Sequence, residues 1–469
     1  MPCQRVVLAQ GSRTSRRTPP GRGARAENAA AIGRRHDGGV TGEMAGPVAP
    51  GDVLELTVGE AANGGWCVAR PESGQVFFVR HALPGERVRA VVTQTTSSFV
   101  RAEAVEILRA APGRVSAPCP YAGPGGCGGC DWQHASLAVQ REIKAQVIRA
   151  QLRRIAGLDH GVTVEPVPGD TGGLGWRTRV RFAVGKDGLP GLYRHRSHEI
   201  VRVSDCLIAH PLVTGAGVTR EKFPGARWVD VAVAPGTGER AVLASARPAS
   251  RRGTRSRLRT SAPRFLTQRA AGRNWRVAAA GFWQVHPGAA DTLAAAVLDG
   301  LRPEPGETAL DLFCGAGLFA GVLAAAVGPA GEVIAVERDS AAVRDARHNL
   351  RSTPWVRVHR GDAADVLHRI GPGGASVAVL DPPRTGADRS LIDALCAGSA
   401  GHAPQPSGCA AGEPGLRRIA YVSCDPATLA RDIAEFGRRG WQLDGLRAFD
   451  AFPMTHHVEC LAILVPPAG

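Results

Sequence analysis

Hydrophobic and polar positions follow three different rhythms along this chain. From residue 51 to 108 they alternate with period two. Short apolar-rich runs fall at 53–58, 75–79, 87–92 and 103–108, and at Arg87-Val88-Arg89-Ala90 charged and apolar positions alternate. Leu83-Pro84-Gly85-Glu86 supplies a turn between two of them. Five short strands in so short a stretch predict a small closed barrel of the OB type. Residues 111–275 are mixed: the spacing predicts a helix over 140–156 and a strand over 176–182, while 213–262 carries no readable period. From residue 276 onward, apolar runs at 308–313, 332–337, 356–359, 376–380, 418–422 and 457–465 are separated by helical stretches. That alternation predicts an open, doubly wound α/β sheet. The Gly/Pro/Ala-rich segment 397–416 interrupts it and reads as a surface loop.

The domain layout that follows has four parts. Residues 1–46 read as a disordered basic tail, or as an upstream extension of a chain that starts at Met44; an Arg-rich, acid-poor start also imitates a transit peptide. Residues 47–110 form the β-barrel, 111–275 a central α+β region, and 276–469 the α/β domain. A length of 469 residues is itself too great for one core.

Charge changes the picture more than composition does. The net charge is +15, and the first 43 residues account for only +5 of it. A basic excess that survives removal of the tail predicts a polyanionic partner, although 54 of the 57 cationic residues are arginine, which also fits a biased composition. Arg177, Arg179 and Arg181 fall on one face of the strand over 176–182, a row suited to a phosphate backbone or to a solvated face. No apolar run reaches the length of a membrane span. A cytoplasmic monomer acting on RNA, away from membranes, is the expectation. Eleven cysteines are then expected to be reduced, metal-bound or catalytic.

Three groups of residues carry candidate chemistry. Asp311-Leu312-Phe313-Cys314-Gly315-Ala316-Gly317 follows a strand and opens a helix, so its glycines admit a ligand close to the backbone. Glu337 ends the next strand, where a carboxylate takes the hydroxyls of a ribose, and Gly361-Asp362 follows the third. Asp381-Pro382-Pro383-Arg384 ends the fourth strand. Its carboxylate suits the ring N–H of uracil and equally an exocyclic amine. Cys424 lies where the fifth strand turns into a helix, with Asp425 as N-cap and Pro426 at the first helical position. A thiol at a helix N-terminus is expected to have a lowered pKa. Thiolate addition to carbon 6 of a pyrimidine makes carbon 5 nucleophilic toward an electrophilic methyl, and Glu459 is the candidate base for the proton that then leaves carbon 5.

The third group is Cys119, Cys127 and Cys130, spaced C-x7-C-x2-C in a glycine-rich loop, with Cys206 as candidate fourth thiolate. The spacing suits an iron–sulfur cluster, with zinc as the alternative.

The glycine loop, Glu337 and Asp362 together look like a class I S-adenosylmethionine-dependent methyltransferase, which implies a Rossmann-like fold with Asp362 beside the adenine. The whole constellation resembles the RNA (uracil-5-)-methyltransferase family, whose members often carry an N-terminal TRAM domain. The resemblance spans residues 51–465 and thins over 213–262 and 397–416. Phe282-Trp283-Gln284-Val285 is similar to the family's F-x-Q-V element, which implies that Gln284 contacts S-adenosylmethionine. Phe313, Gly315, Glu337 and Asp381 fall on further cofactor positions, Cys424 on the nucleophile, and Glu459 on the base that ends the closing signature from Asp450. Cys127-Gly128-Gly129-Cys130 followed by Asp131-Trp132-Gln133-His134 is similar to the family's cluster region and implies [4Fe–4S]. The family usually has asparagine after the nucleophile; Asp425 is expected to raise the thiol's pKa instead. The resemblance implies 5-methyluridine formation in ribosomal or transfer RNA. A cytosine carbon-5 methyltransferase also needs a cysteine, an amine methyltransferase has no use for one, and a non-catalytic RNA-binding protein needs neither Cys424 nor Glu459.

Overall fold

A computed structural model describes residues 48–246, 263–371, 374–397 and 415–467. The expected basic tail, and most of the interruption at 397–416, lie outside the described residues.

The N-terminal strands are Val53–Thr57, Ala61–Ala62, Trp66–Ala69, Phe77–Arg80, Arg87–Thr95 and Val100–Arg109. They form one six-stranded sheet in the spatial order first, fifth, sixth, fourth, third, second. Period-two alternation buries Val88, Ala90 and Val92 while Arg87 faces solvent. There are six strands against the expected five; Ala61–Ala62 and Trp66–Ala69 fall in none of the expected runs, and the first is too short to show any alternation. The core of this sheet closes over Trp132 and Ile143 from the next region.

The helix expected over 140–156 begins earlier, at Leu137, because Ser136 caps it by accepting from the Val139 N–H. It gives way to a π-turn over Leu152–Ala156 that Gly157 ends in the left-handed region. A five-stranded antiparallel sheet follows, in the spatial order Ile200–Val201, Pro190–Tyr193, Arg179–Val184, Ala226–Ala234 and Glu239–Ala246. The strand Ala226–Ala234 showed no period because its second half is buried on both faces. The expected arginine row is not a free phosphate track. Arg179 donates to the carbonyls of Ala279 and Gly281, Arg181 forms a bidentate pair with Asp230 at 2.6 and 2.9 Å, and Arg177 lines a cavity described below.

The C-terminal sheet has eight strands, in the order Val356–Arg360, Glu332–Glu337, Thr308–Leu312, Val377–Leu380, Arg418–Ser423, Glu459–Val465, Gln442–Asp450 and Val164–Pro166. The first five are parallel; Glu459–Val465 is antiparallel to both of its neighbours. Two apolar clusters cover its two faces. Val164–Pro166 joins it from the central region, and residue 276 falls inside the strand Arg273–Ala278. That strand's hairpin with Phe265–Ala270 packs Trp275 onto the helix Leu318–Val327, where a side chain at Gly321 would meet the ring at 2.4 Å. Among the described residues no helix is long and apolar enough to cross a membrane.

Lys144 is buried in the helix Leu137–Gln151 and donates to Asp450 Oδ1 at 2.6 Å and to the Phe452 carbonyl at 3.0 Å. Lys144→Ala is expected to cost ~3–5 kcal/mol in urea unfolding, because Asp450 is left buried without its partner. Lys144→Met combined with Asp450→Leu should recover most of that loss. A single variant as stable as the parent would show that the pair fastens nothing.

Candidate active site

The cofactor-type end of the site is built at the carboxyl edge of three parallel strands. After Thr308–Leu312 the chain reverses at Phe313, a non-glycine residue at φ 77°, and the N–H groups of Phe313 and Cys314 donate to the Val336 carbonyl at 3.0 and 2.9 Å. Gly317 starts the following helix at φ 95°, where a Cβ would lie 2.9 Å from Leu350 Cδ1. Only glycine meets both demands. Glu337 ties the loops together: one oxygen accepts from the Gly315 N–H at 3.0 Å and the other from the Asp339 N–H at 2.6 Å. Each oxygen retains acceptor capacity for a ligand hydroxyl. Asp362 caps the helix Ala363–Ile370 through the Ala364 N–H at 3.0 Å. Gln284 is buried, while Phe282, two residues away, is 68% exposed. Asp311 is fully buried. One oxygen accepts from the Ala320 N–H at 2.6 Å and the other has no partner. Burial pushes its carboxyl up to about 8.

Strand register assembles the reactive end. Leu380 pairs with Tyr421, and Ser423 pairs with Cys460. Asp381, Cys424 and Glu459 therefore leave three neighbouring strands at one edge, although they are far apart in the chain. The site residues expected from sequence at this edge are brought together. Their protonation is not as expected. Burial, followed by the Glu459 carboxyl, pushes the Cys424 thiol up to about 11, against the pull of the Arg384 guanidinium, which also hydrogen-bonds it. The expected depression fails because Asp425, not the thiol, occupies the helix terminus. Its carboxylate accepts from the Ala427 and Thr428 N–H groups at 3.0 and 2.8 Å. The expected effect of Asp425 on the thiol is likewise replaced by that of Glu459, with a smaller contribution from Asp381. Glu459 is buried and held well above the usual carboxylate range, by burial and then by Asp381. Burial raises Asp381 to about 7.

Sequence reasoning missed the residues that surround this edge. Arg384 Nη2 donates to His457 Nε2 at 3.3 Å, and the His457 ring lies 4.0 Å from that of His456. His456 bonds through Nδ1 to Asp131 at 2.6 Å, and Asp131 takes Arg80 Nη2 at 3.0 Å. Arg384 ends the Asp381–Arg384 motif and His457 lies within the signature from Asp450 to Glu459, which was the available signal; nothing local marks Arg80.

Cys119, Cys127, Cys130 and Cys206 all line one cavity of about 210 Å³, with Tyr121, Gln133 and Arg177 among its other walls. Gln133 Oε1 accepts from the Cys119 N–H at 3.1 Å, and the Gly129 N–H donates to Cys127 Sγ at 3.4 Å. Tight turns need the glycines here: a Cβ at Gly126 would lie 2.2 Å from the Tyr121 carbonyl oxygen. Burial raises the Cys127 and Cys130 thiols, and carries Cys206 to about 11. Among the described residues no three His, Cys, Asp or Glu side chains are disposed to hold a single metal ion.

Comparison with known proteins matches three parts of the chain to family models: the TRAM domain over 47–105, a methyltransferase domain over 303–369, and tRNA (Uracil-5-)-methyltransferase over 414–466. An uncharacterized RNA methyltransferase of Streptomyces avermitilis is 46% identical over 447 residues, covering 89% of this chain and 99% of that protein. One from Bifidobacterium longum is 32% identical, covering 87% and 96%. The crystal structure of Pyrococcus abyssi tRNA (uracil-54, C5)-methyltransferase in complex with S-adenosyl-L-homocysteine superposes with a TM-score of 0.63 at 21% identity, over 88% of this chain and all of that one. That likeness is one of fold.

Raised carboxyl pKa values carry a stability signature. Such a group binds its proton more tightly in the folded chain than in the unfolded one. Its stabilising effect is complete below the unfolded value, about pH 4, and is lost as pH rises through the folded value. For Asp381 that folded value is about 7. Glu459→Gln removes one of the two ionisations. Its melting temperature should exceed that of the parent by little at about pH 4 and by progressively more toward about pH 8. A constant difference across that range would mean that the two carboxyls are not jointly strained.

Proposed function

We propose that this chain, which belongs to the RNA (uracil-5-)-methyltransferase family, forms 5-methyluridine in a ribosomal or transfer RNA through a covalent bond between Cys424 and carbon 6 of the target uracil. The convergence of Asp381, Cys424 and Glu459 at one sheet edge is the observation that carries this reading.

S-adenosylmethionine supplies an electrophilic methyl group when bound. Gln284, Phe313, Gly315, Glu337 and Asp362 would hold it around the glycine loop, with the Glu337 carboxylate toward the ribose. The target base is flipped out of its stack to reach the edge. Asp381 accepts from its ring N–H. The Cys424 thiol loses its proton to solvent, aided by the Arg384 guanidinium beside it, and the thiolate adds to carbon 6. Carbon 5 then takes the methyl group. Ionised Glu459 removes the carbon-5 proton, for which its raised proton affinity fits it. The thiolate then leaves and aromatic character returns. All three groups are used; an amine methyltransferase would leave Cys424 idle.

The four cysteines around one cavity support a [4Fe–4S] cluster. Each iron of such a cluster takes one thiolate, so the thiolates stand apart around a bulky core. A single zinc would draw all four to about 2.3 Å from one ion. The TRAM domain presents Arg101 over the Trp66 and Phe99 rings at 5.7 and 4.7 Å, which supports a role in holding RNA.

Purified protein mixed with S-adenosylmethionine and RNA carrying 5-fluorouridine should form a gel-stable adduct, because fluorine cannot leave as a proton. Cys424→Ala should form none while still binding cofactor; turnover by that variant would remove Cys424 from the nucleophile role. Glu459→Gln should accumulate adduct on ordinary RNA, and release at the parent rate would point to another base. Anaerobically purified protein should contain iron and acid-labile sulfide, and Cys127→Ser should lose most of both.

A further inference from the structure

The Cys424 thiol is pushed up by its surroundings, and one cationic group opposes that shift: Arg384. Arg384 is an exposed side chain on a loop. A free arginine of this kind keeps much of its rotamer freedom and spends little time at any one neighbour. Its backbone is fixed by Thr428 Oγ1, which donates to the Arg384 carbonyl at 3.0 Å. Its guanidinium is fixed by His457 Nε2 at 3.3 Å.

His457 is in turn held on several sides. Its N–H donates to Thr455 Oγ1 at 3.2 Å, its ring meets Phe452 edge-on at 5.8 Å, and it lies 4.0 Å from the His456 ring. Burial, with the charges of His456 and Arg384, takes the His457 imidazole down to about 3, so it is neutral and can accept from Arg384. His456 is pinned twice by one carboxylate oxygen of Asp131, through its N–H at 3.0 Å and its Nδ1 at 2.6 Å. The other Asp131 oxygen takes Arg80. The backbone N–H groups of Asp131 and Trp132 both donate to the Met454 carbonyl, at 2.9 and 3.0 Å. Gly65 of the N-terminal sheet leaves the space this carboxylate fills, since a Cβ there would stand 2.7 Å from Asp131 Cγ. Asp131 directly follows Cys130.

We propose that Asp131, His456 and His457 are positioning residues that hold Arg384 against Cys424, so that the cysteine-lined loop and the N-terminal sheet together set the reactivity of a thiol in the α/β domain. The continuous run of contacts Arg80, Asp131, His456, His457, Arg384, Cys424 carries the proposal. Its catalytic meaning rests on the nucleophile reading of Cys424, but its physical content does not.

The test reads the thiol directly. The full chain is alkylated with iodoacetamide across a pH series, and modification of Cys424 is followed by peptide mass spectrometry. The groups facing this thiol are Glu459, Asp381, Arg384 and the buried Cys460, and of these the variants are aimed at Arg384 alone. His457→Ala should raise the midpoint of Cys424 modification by about one unit. His457→Gln, whose side-chain carbonyl still accepts from Arg384, should stay close to the parent. Asp131→Asn should shift the midpoint in the same direction as His457→Ala. Adduct formation with 5-fluorouridine RNA should slow about tenfold wherever the midpoint moves by one unit. Equal midpoints for His457→Ala and the parent, or equal shifts for the Ala and Gln variants, would overturn the proposal, however Asp131→Asn folds. A parent that shows the midpoint shifts in its variants but forms no RNA adduct would refute the uracil reading alone.

Discussion

A lysine ammonium taken out of water costs several kcal/mol unless a carboxylate meets it, and Lys144 is met by one that lies more than three hundred residues away in sequence. The pair is almost fully buried on both sides. It fixes the end of the strand Gln442–Asp450 against the helix Leu137–Gln151, and Gln140 from the same helix accepts from the Met454 N–H at 2.8 Å. The segment between Asp450 and Glu459 is held by these bonds together with those that Asp131 and Trp132 make to Met454 and His456. That segment delivers His456, His457 and Glu459 to the reactive edge, so the site depends on an ion pair that never touches substrate.

The edge itself is held in tension. Two carboxyls and a thiol share one corner, with Glu459 buried and Asp381 and Cys424 half-buried; burial raises all three, Asp381 raises Glu459 further, and Glu459 raises Cys424. Such a corner cannot carry all of its negative charges at once. This opposes folding near neutral pH and serves the proposed chemistry, which passes a proton off the thiol and later onto a carboxyl. Arg384 is the counter-charge, and its exposure makes its placement a matter for its neighbours rather than for its own packing.

The glycine loop, Glu337, Asp381, Cys424 and Glu459 could be read from sequence because each sits at a strand end, and strand ends follow from apolar runs and turn residues. The strand Glu332–Glu337 matched its expected bounds for that reason. The strands Gln442–Asp450 and Val164–Pro166 were missed: the first has intermittent burial, and the second is three residues long. The arginine row failed as a phosphate track because alternation gives the side of a strand but not the carbonyls or carboxylates waiting there. The lowered thiol pKa failed for a related reason, since the helix terminus was already satisfied by Asp425 and burial then dominated.

Local pattern by itself determined the α/β alternation, the site-bearing strand ends, the grouping of cysteines in a glycine loop and the family likeness, because each of these is a property of neighbouring residues. Tertiary structure decided which groups share a dielectric and which share a hydrogen bond. It brought Cys206 to the same cavity as Cys119, Cys127 and Cys130. It turned Asp131 from a residue beside a cysteine into the link between Arg80 and His456. Proton affinities and positioning depend on atoms a few ångströms away in space, and separation along the chain carries almost no information about them.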